Sequence, residues 1–263
     1  MKLTWFDANA WLWEAGGCRI LVDPWLLGDL VFANSPWLVK GIRPQPVDIP
    51  PDIDLILLSQ GLADHAHPET LGQLDKSIPV VASVDGAAIA KKLGYQSVTV
   101  AAHGEVNTLA GVEIRTFTGA VVGPTKRENA YVLTFLSTGI RLYYEPHGYP
   151  DVAHLQDFVE NAGPVDVVIS PMADITLMGV APVIRGAAVA TQIAKLLKPQ
   201  VMLPTAEDGQ VIYEGLLAPV LSRTGGAEEL RSQIKIAGNG TQVIQPISGE
   251  LIELDLQPQT VLP

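Results

Sequence analysis

Three side chains able to bind a cation or move a proton fall within four residues of each other: Asp64, His65 and His67, in the stretch Gly61-Leu62-Ala63-Asp64-His65-Ala66-His67-Pro68. Carboxylate and imidazole are oxygen and nitrogen ligands for zinc, iron or manganese, and hydrogen-bonded to one another they make a general base. A second acid–imidazole pair, Glu145-Pro146-His147, follows Leu142-Tyr143-Tyr144. Brought into one pocket, Asp64, His65 and His147 offer three ligands to a single ion. Without metal, an Asp64–His65 or Asp64–His147 pair serves as the base. Lys126 and Arg127 sit in the glycine-containing stretch Gly119–Asn129, where they can hold an anionic group. A solvated basic pair on a plain turn is the alternative. No Gly-Lys-Ser/Thr follows, so the stretch does not match a phosphate loop.

The elements around these residues must position them. Leu55 to Leu58 is an unbroken apolar run, which fits a strand buried on both faces. Pro68-Glu69-Thr70 opens a helix, with Pro where a missing N–H does no harm and an acid near the positive helix end. The loop between them is the usual seat of chemistry in a layered α/β protein. Plainer roles compete: Asp64 as a cap for loop N–H groups, His67 as a helix-start residue, His103 in a turn, His154 at the start of a surface helix.

Before this stretch, Leu3–Phe6 and Ala10–Trp13 read as a hairpin and Arg19–Val22 as a third strand. Residues 27–53 carry Pro36, Pro44, Pro46, Pro50 and Pro51 without periodicity, which predicts a loop over the site. After it, Val80–Ser83, Ser97–Val100, Val112–Phe117, Ala130–Phe135, Arg141–Tyr144, Val165–Ser170 and Val201–Leu203 read as strands. Ala87–Leu93, Leu155–Asn161, Val183–Leu197 and Ala227–Ile236 read as helices, with Thr241–Ile244 and Glu250–Leu254 closing the chain.

Composition narrows the function classes. The chain has 263 residues, 48% hydrophobic and 17% charged, with a net charge of −11 that opposes attraction to phosphate backbones. The apolar segment 179–197 is broken by Arg185, Gln192 and Lys195, so no membrane span is expected. Asp7 and Glu14 interrupt what a signal peptide would keep apolar, and Cys18 is the lone cysteine; both agree with a cytoplasmic protein. Cys18 itself reads as a small buried residue, not a nucleophile. Trp25, Trp37 and neighbouring leucines read as an exposed contact surface.

The frame Ser59-Gln60-Gly61-Leu62-Ala63-Asp64-His65, set between a strand and a helix, resembles the Ser-His-x-His-x-Asp-His motif of the metallo-β-lactamase fold, a superfamily of zinc-dependent hydrolases. Its Asp-His half is present, while Gln60 and Leu62 replace two histidines. Leu21-Val22-Asp23-Pro24-Trp25-Leu26 resembles the Leu-Ile-Asp-Pro-Trp-Leu-like strand end of the lactone-hydrolase-like branch, in which the Asp is a structural anchor beside the metal loop. The order of elements agrees over nearly the whole chain.

The resemblance implies one domain, residues 1–263, folded as an α/β protein with a four-layer αββα sandwich. In the family two zinc ions are held by five histidines, an Asp of the loop and a bridging Asp. Here Thr118–Val121 lacks the third histidine, His147 stands in the place of the bridging Asp, and Thr205-Ala206-Glu207 stands in that of the late histidine. Asp64, His65 and His147 remain, with Glu145, His67, Glu207 and Asp174 as recruits. The expectation is a hydrolase of an ester, lactone or phosphoester with at most one zinc, iron or manganese ion. Asp64, His65 and His147 would act as ligands or base, and Lys126, Arg127 and Glu145 would face a small-molecule substrate. The alternative is a metal-free, non-catalytic fold member that binds a small molecule or serves as a scaffold. A nuclease, and partnership with nucleic acid or membrane, are disfavoured.

Overall fold

The computed structural model describes residues 1–32, 35–122, 126–206, 209–236, 238 and 240–259. Its centre is a pair of seven-stranded sheets. The first runs, edge to edge, through Leu251–Glu253, Lys2–Trp5, Trp11–Ala15, Cys18–Val22, Leu55–Leu58, Val80–Ala82 and Val98–Val100. The second runs through Gln242–Val243, Val201–Leu203, Val167–Ile169, Arg141–Tyr144, Lys126–Phe135, Val112–Val122 and Val106–Leu109.

Period-2 alternation explains the layering. Leu55 and Leu57 point with Trp11, Trp13, Ile20 and Val22 into the space between the sheets, where Tyr131, Leu133, Leu142, Tyr144, Val167 and Leu203 come from the other side. Ile56 and Leu58 point outward, against Leu71, Ala87 and Ala90 of helices Pro68–Gln73 and Val84–Lys92. Val132, Tyr143, Val168 and Met202 point outward from the second sheet, under helices Val152–Ala162, Ala187–Leu197 and Ala227–Ile236. Four layers follow, helix–sheet–sheet–helix. Leu55–Leu58, Val167–Ile169 and Val201–Leu203 are apolar throughout because both their faces are covered. Truncating Leu57 to Ala would cost about 2–5 kcal/mol, the usual range for a buried leucine.

Several expected boundaries move. The helix expected from Val183 begins at Ala187, because Ala181–Ile184 is a strand paired with Ala173–Leu177. β-Branched Val183 and Ile184 suit that strand, and Gly186 makes the break. A Cβ on Gly186 would lie 2.4 Å from the Ala173 carbonyl oxygen. Asp174, expected as a recruit to the site, instead accepts the Gly186 and Ala187 N–H groups (2.8 and 3.2 Å) and caps this helix.

The proline-rich span is not wholly irregular. Leu30–Val31 and Lys40–Ile42 pair with each other, and Lys40–Ile42 also pairs with Ile212–Glu214. Trp25, expected at the surface, is fully buried, with the Arg43 guanidinium 4.4 Å from its ring centroid; Trp37 is exposed as expected. Cys18 is buried and its thiol is pushed up to about 11, chiefly by burial, which suits a packing role. Among the described residues no helix is long and apolar enough to cross a membrane.

Candidate functional site

Strands Leu55–Leu58 and Arg141–Tyr144 lie in different sheets, yet the loops that follow them meet. Hydrogen bonds stitch the sheets together at this end. The Tyr131 hydroxyl donates to the Leu58 carbonyl (2.9 Å), the Asn129 N–H to the Ser59 carbonyl (2.9 Å), and the Tyr144 hydroxyl to Asp23 Oδ2 (2.7 Å). Asp64, His65 and His147 come together here, with one ligand atom of each within 4.8 Å of the others. His65 Nε2 is 3.3 Å from Asp64 Oδ2, and the two imidazole rings are 5.3 Å apart.

A buried carboxylate stands behind each imidazole. Asp23 Oδ2 is 2.8 Å from His65 Nδ1, and Asp23 also accepts the Ser59 N–H (2.7 Å) and hydroxyl (2.5 Å). The anchoring role expected for Asp23 thus has four donors to support it. Glu128 Oε2 is 2.7 Å from His147 Nδ1 and 3.2 Å from Gln60 Nε2, while Oε1 accepts the Ala120 N–H (3.0 Å). A Cβ on Gly119 would lie 2.5 Å from Glu128 Cγ, so the glycine makes room for this acid in the segment where the family's third histidine is expected.

Glu128 is the residue that sequence reading missed. It follows the exposed Lys126 and Arg127, which drew attention, but it is fully buried. The available signal was its alignment with Ala130 and Val132 on one strand face, an acid in line with apolar neighbours.

The charges interlock. Burial alone would raise the Asp64 carboxyl, but neighbouring His65 outweighs it and holds Asp64 below its ordinary value. Burial would likewise depress His65, and Asp64 and Asp23 reverse this, raising it well above the usual imidazole range. Burial opposes charge on Glu128 and on His147 too; their contact prevails, lowering the acid and raising the imidazole. Glu145 goes the other way: burial first and Glu128 second push it up to about 8.

The remaining candidates separate from the cluster. Glu145, expected to face substrate, is buried and accepts the N–H groups of His147, Gly148 and Tyr149 (3.1, 2.6 and 3.1 Å), so it builds the loop that carries His147. Gly148 at φ +78 closes that loop, and a Cβ there would collide with the Arg185 carbonyl. Lys126 lies 3.8 Å from Asp85, and Arg127 Nη1 3.5 Å from the Gly119 carbonyl; neither of these contacts involves the three cluster residues. His67 caps its helix by accepting the Thr70 N–H, the plainer of its two expected roles. His154 starts helix Val152–Ala162 at the surface, paired with Asp151. Glu207, and residues 123–125 of the glycine-containing stretch, lie outside the described residues. A cleft of about 580 Å³ lined by His103, Arg115 and Phe158 lies beside helix Val152–Ala162 and includes no cluster residue.

One ion fits this donor set better than two. Gln60 is buried and Leu62 is half-exposed and apolar, so the two lost histidines have no replacement imidazoles, and Glu128 and Gln60 fill space beside His147 and His65. Among the described residues, two buried oxygens near His65, Asp64 Oδ1 and Gln60 Oε1, have no hydrogen-bond partner. Unpartnered buried oxygens beside two carboxylate-backed imidazoles are what a cation would satisfy. Thr205, in the place of the late histidine, reaches His65 only through Asn9: its hydroxyl donates to Asn9 Oδ1 (3.1 Å), and Asn9 Nδ2 is 3.2 Å from His65 Nε2.

Comparison with known proteins agrees with this architecture. A family model described as "Beta-lactamase superfamily domain" matches residues 2–206. No curated protein matches the chain. Among solved structures, isothiocyanate hydrolase from Delia radicum gut bacteria is similar with a TM-score of 0.69 at 15% identity, over 97% of this chain and 99% of that one. A metallo hydrolase from the hyperthermophilic archaeon Ignicoccus hospitalis gives a TM-score of 0.67 at 17% identity, over 97% and 99%. A possible metal-dependent hydrolase from Veillonella parvula gives 0.71 at 13% identity, over 97% and 99%. At such identities the likeness is one of fold.

Proposed function

The chain belongs to the beta-lactamase superfamily domain family, and from that membership we propose that it is a hydrolase whose reduced site takes one zinc, iron or manganese ion through Asp64, His65 and His147. One observation carries the reading: these three residues, from two sheets, place ligand atoms within 4.8 Å of one another, beside two buried oxygens that lack partners. The hydrolases named among the structures that share this fold agree with the reaction class. The substrate class proposed is an ester, lactone or phosphoester.

An ion held there supplies Lewis acidity, which makes water a nucleophile near neutral pH. The rest is the work of the chain. Asp23 engages His65 Nδ1 and Glu128 engages His147 Nδ1, so each ring is fixed with Nε2 as its remaining nitrogen. Asp64 Oδ1, buried and without a hydrogen-bond partner among the described residues, is the oxygen that Asp64 would offer to the ion. Glu145 holds the His147 loop in shape. Lys126 and Arg127 enter only as exposed cations for an acidic substrate.

The test is hydrolysis of aryl esters, lactones and phosphodiesters by protein purified without chelator and supplied in turn with each ion. Turnover of at least one class is expected, reduced on the order of 100-fold or more in His147→Ala. Silence across the panel with every ion would contradict the proposal.

A second reading, a metal-free binding module, has one observation in its favour. The Gln60 and Asn9 side-chain amides lie 2.9 and 3.2 Å from His65 Nε2, the nitrogen an ion would need. It predicts a melting temperature that none of the three ions changes.

A further inference from the structure

The cleft of about 580 Å³ beside helix Val152–Ala162 lies apart from the cluster of Asp64, His65 and His147. Its other wall is strand Val112–Val122. Alternation sends Ile114 into the space between the large sheets and leaves Arg115 and Phe117 facing the helix. The Phe117 and Phe158 rings are nearly buried and meet edge-on, centroids 6.1 Å apart, as an apolar floor. The Arg115 guanidinium lies 5.8 Å from the Phe158 centroid. The volume falls within the roughly 300–1,000 Å³ of small-molecule pockets, whose usual lining is an apolar floor with a few polar groups.

Charge is divided across the cleft. Arg115, on the strand, is the sole Lys or Arg of its lining, and the acids Asp151 and Asp157 stand on the helix side. Arg115 Nε is buried and, among the described residues, has no hydrogen-bond partner. Glu113 Oε1 is 3.9 Å from Arg115 Nη2, beyond hydrogen-bond reach. Asp151 is taken up by His154, whose Nδ1 lies 2.9 Å from each of its oxygens. The Asp157 side chain is exposed, and helix Val152–Ala162 holds no Lys or Arg to pair with it. A buried donor without an acceptor, above an apolar floor and opposite an acid, calls for a ligand that brings an acceptor.

We propose that this cleft binds a free amino acid with an apolar side chain. Its carboxylate pairs with the Arg115 guanidinium, whose planar fork suits that group. Its ammonium group faces Asp157, and its side chain rests on Phe117 and Phe158. A carboxylic acid without an amine sets an anion against Asp157. An amine without a carboxylate sets a cation against Arg115 and leaves Nε unpaired. A ligand with both charges on a compact apolar body avoids either conflict. The inference stands apart from the proposed hydrolase activity, since the two sites share no residue.

Calorimetric titration of the full chain with L-phenylalanine, up to about 10 mM, tests it. Saturable binding is expected. 3-Phenylpropionate, which lacks the amine, and 2-phenylethylamine, which lacks the carboxylate, should each bind more weakly. Arg115→Gln should weaken L-phenylalanine binding about 10-fold or more, as loss of a hydrogen bond to a charged group does. Asp157→Asn, on the other wall, should weaken it about 2- to 5-fold, the smaller effect of an exposed charge, and guards against misfolding of the first variant. No saturable binding, equal affinity for either singly charged compound, or wild-type affinity in either variant overturns the inference. His147→Ala should bind L-phenylalanine as the wild type does. Loss of binding there at an unchanged melting temperature would put the ligand in the other site and overturn the inference as well.

Discussion

The two imidazoles of the site are held by two halves built on one plan with different materials. On the first-sheet side, Asp23 collects His65, both groups of Ser59, and Tyr144 from the opposite sheet, in a pocket with no solvent exposure. On the second-sheet side, Glu128 collects His147, Gln60 and the Ala120 N–H, against a glycine that leaves it space. Each half puts an acid behind an imidazole. Both halves cross between the sheets, Asp23 through Tyr144 and Glu128 through Gln60, but Asp23 collects four donors in a fully buried pocket and Glu128 three beside a partly exposed imidazole. The first is therefore the stronger joint. The second stands where family histidines are missing and orients His147.

The largest effect should come from breaking the joint. Asp23→Ala leaves His65, Ser59 and Tyr144 without their acceptor in a dry site, and should cost about 3–5 kcal/mol in denaturant unfolding. Glu128→Ala removes fewer partners from a site of which His147 is partly exposed, and about 2–3 kcal/mol is expected. It should also weaken ion binding about 10- to 100-fold by calorimetric titration, as loss of a ligand's outer partner commonly does. Equal stability losses for the two changes would erase the distinction between the halves. Tyr144→Phe deletes only the bond across the sheets to Asp23, and about 1.5–3 kcal/mol is expected for a bond to a charged acceptor.

The smallest effect is a slope. Glu145 is raised in the fold from its ordinary 4.5 to about 8, so between those values the folded state holds a proton that the unfolded chain has lost. Its contribution to stability is full below about pH 4.5, declines as pH rises, and is gone above about pH 8. Glu128 is lowered, so its contribution is present above its ordinary value and is lost as pH falls through the folded one. Unfolding midpoints measured across this range should decline less with rising pH in Glu145→Gln than in the wild type. An unchanged slope would mean that Glu145 ionises as freely in the fold as out of it.

The sequence disclosed the parts of the molecule in which one residue pattern has one physical meaning. Leu55–Leu58 and Val201–Leu203 have the expected bounds because strands covered on both faces are apolar at every step, and Arg141–Tyr144 has them because its three buried residues follow a hairpin turn. Asp64, His65 and His147 were legible as types, and their meeting was implied by the family resemblance, not by spacing. Glu128 was hidden beside two conspicuous cations. Its alignment with Ala130 and Val132 was the one local sign of burial, and tertiary partners decide whether such an acid is buried or solvated. Strands Ala173–Leu177 and Leu221–Gly225 were hidden for a different reason: the first is partly buried along its length and the second exposed at every residue, so both lack the alternation that burying one face imposes. Val183 misled because apolar residues of a strand and of the helix after it run together, with only Gly186 between them as a stop.

The account rests on one ion held between the two halves, and counting ions per chain reaches it most directly. Protein purified without chelator and equilibrated with zinc, iron or manganese should carry close to one ion per chain by elemental analysis, and Asp64→Ala should carry almost none. Two ions per chain, or a single ion that Asp64→Ala retains, would contradict it.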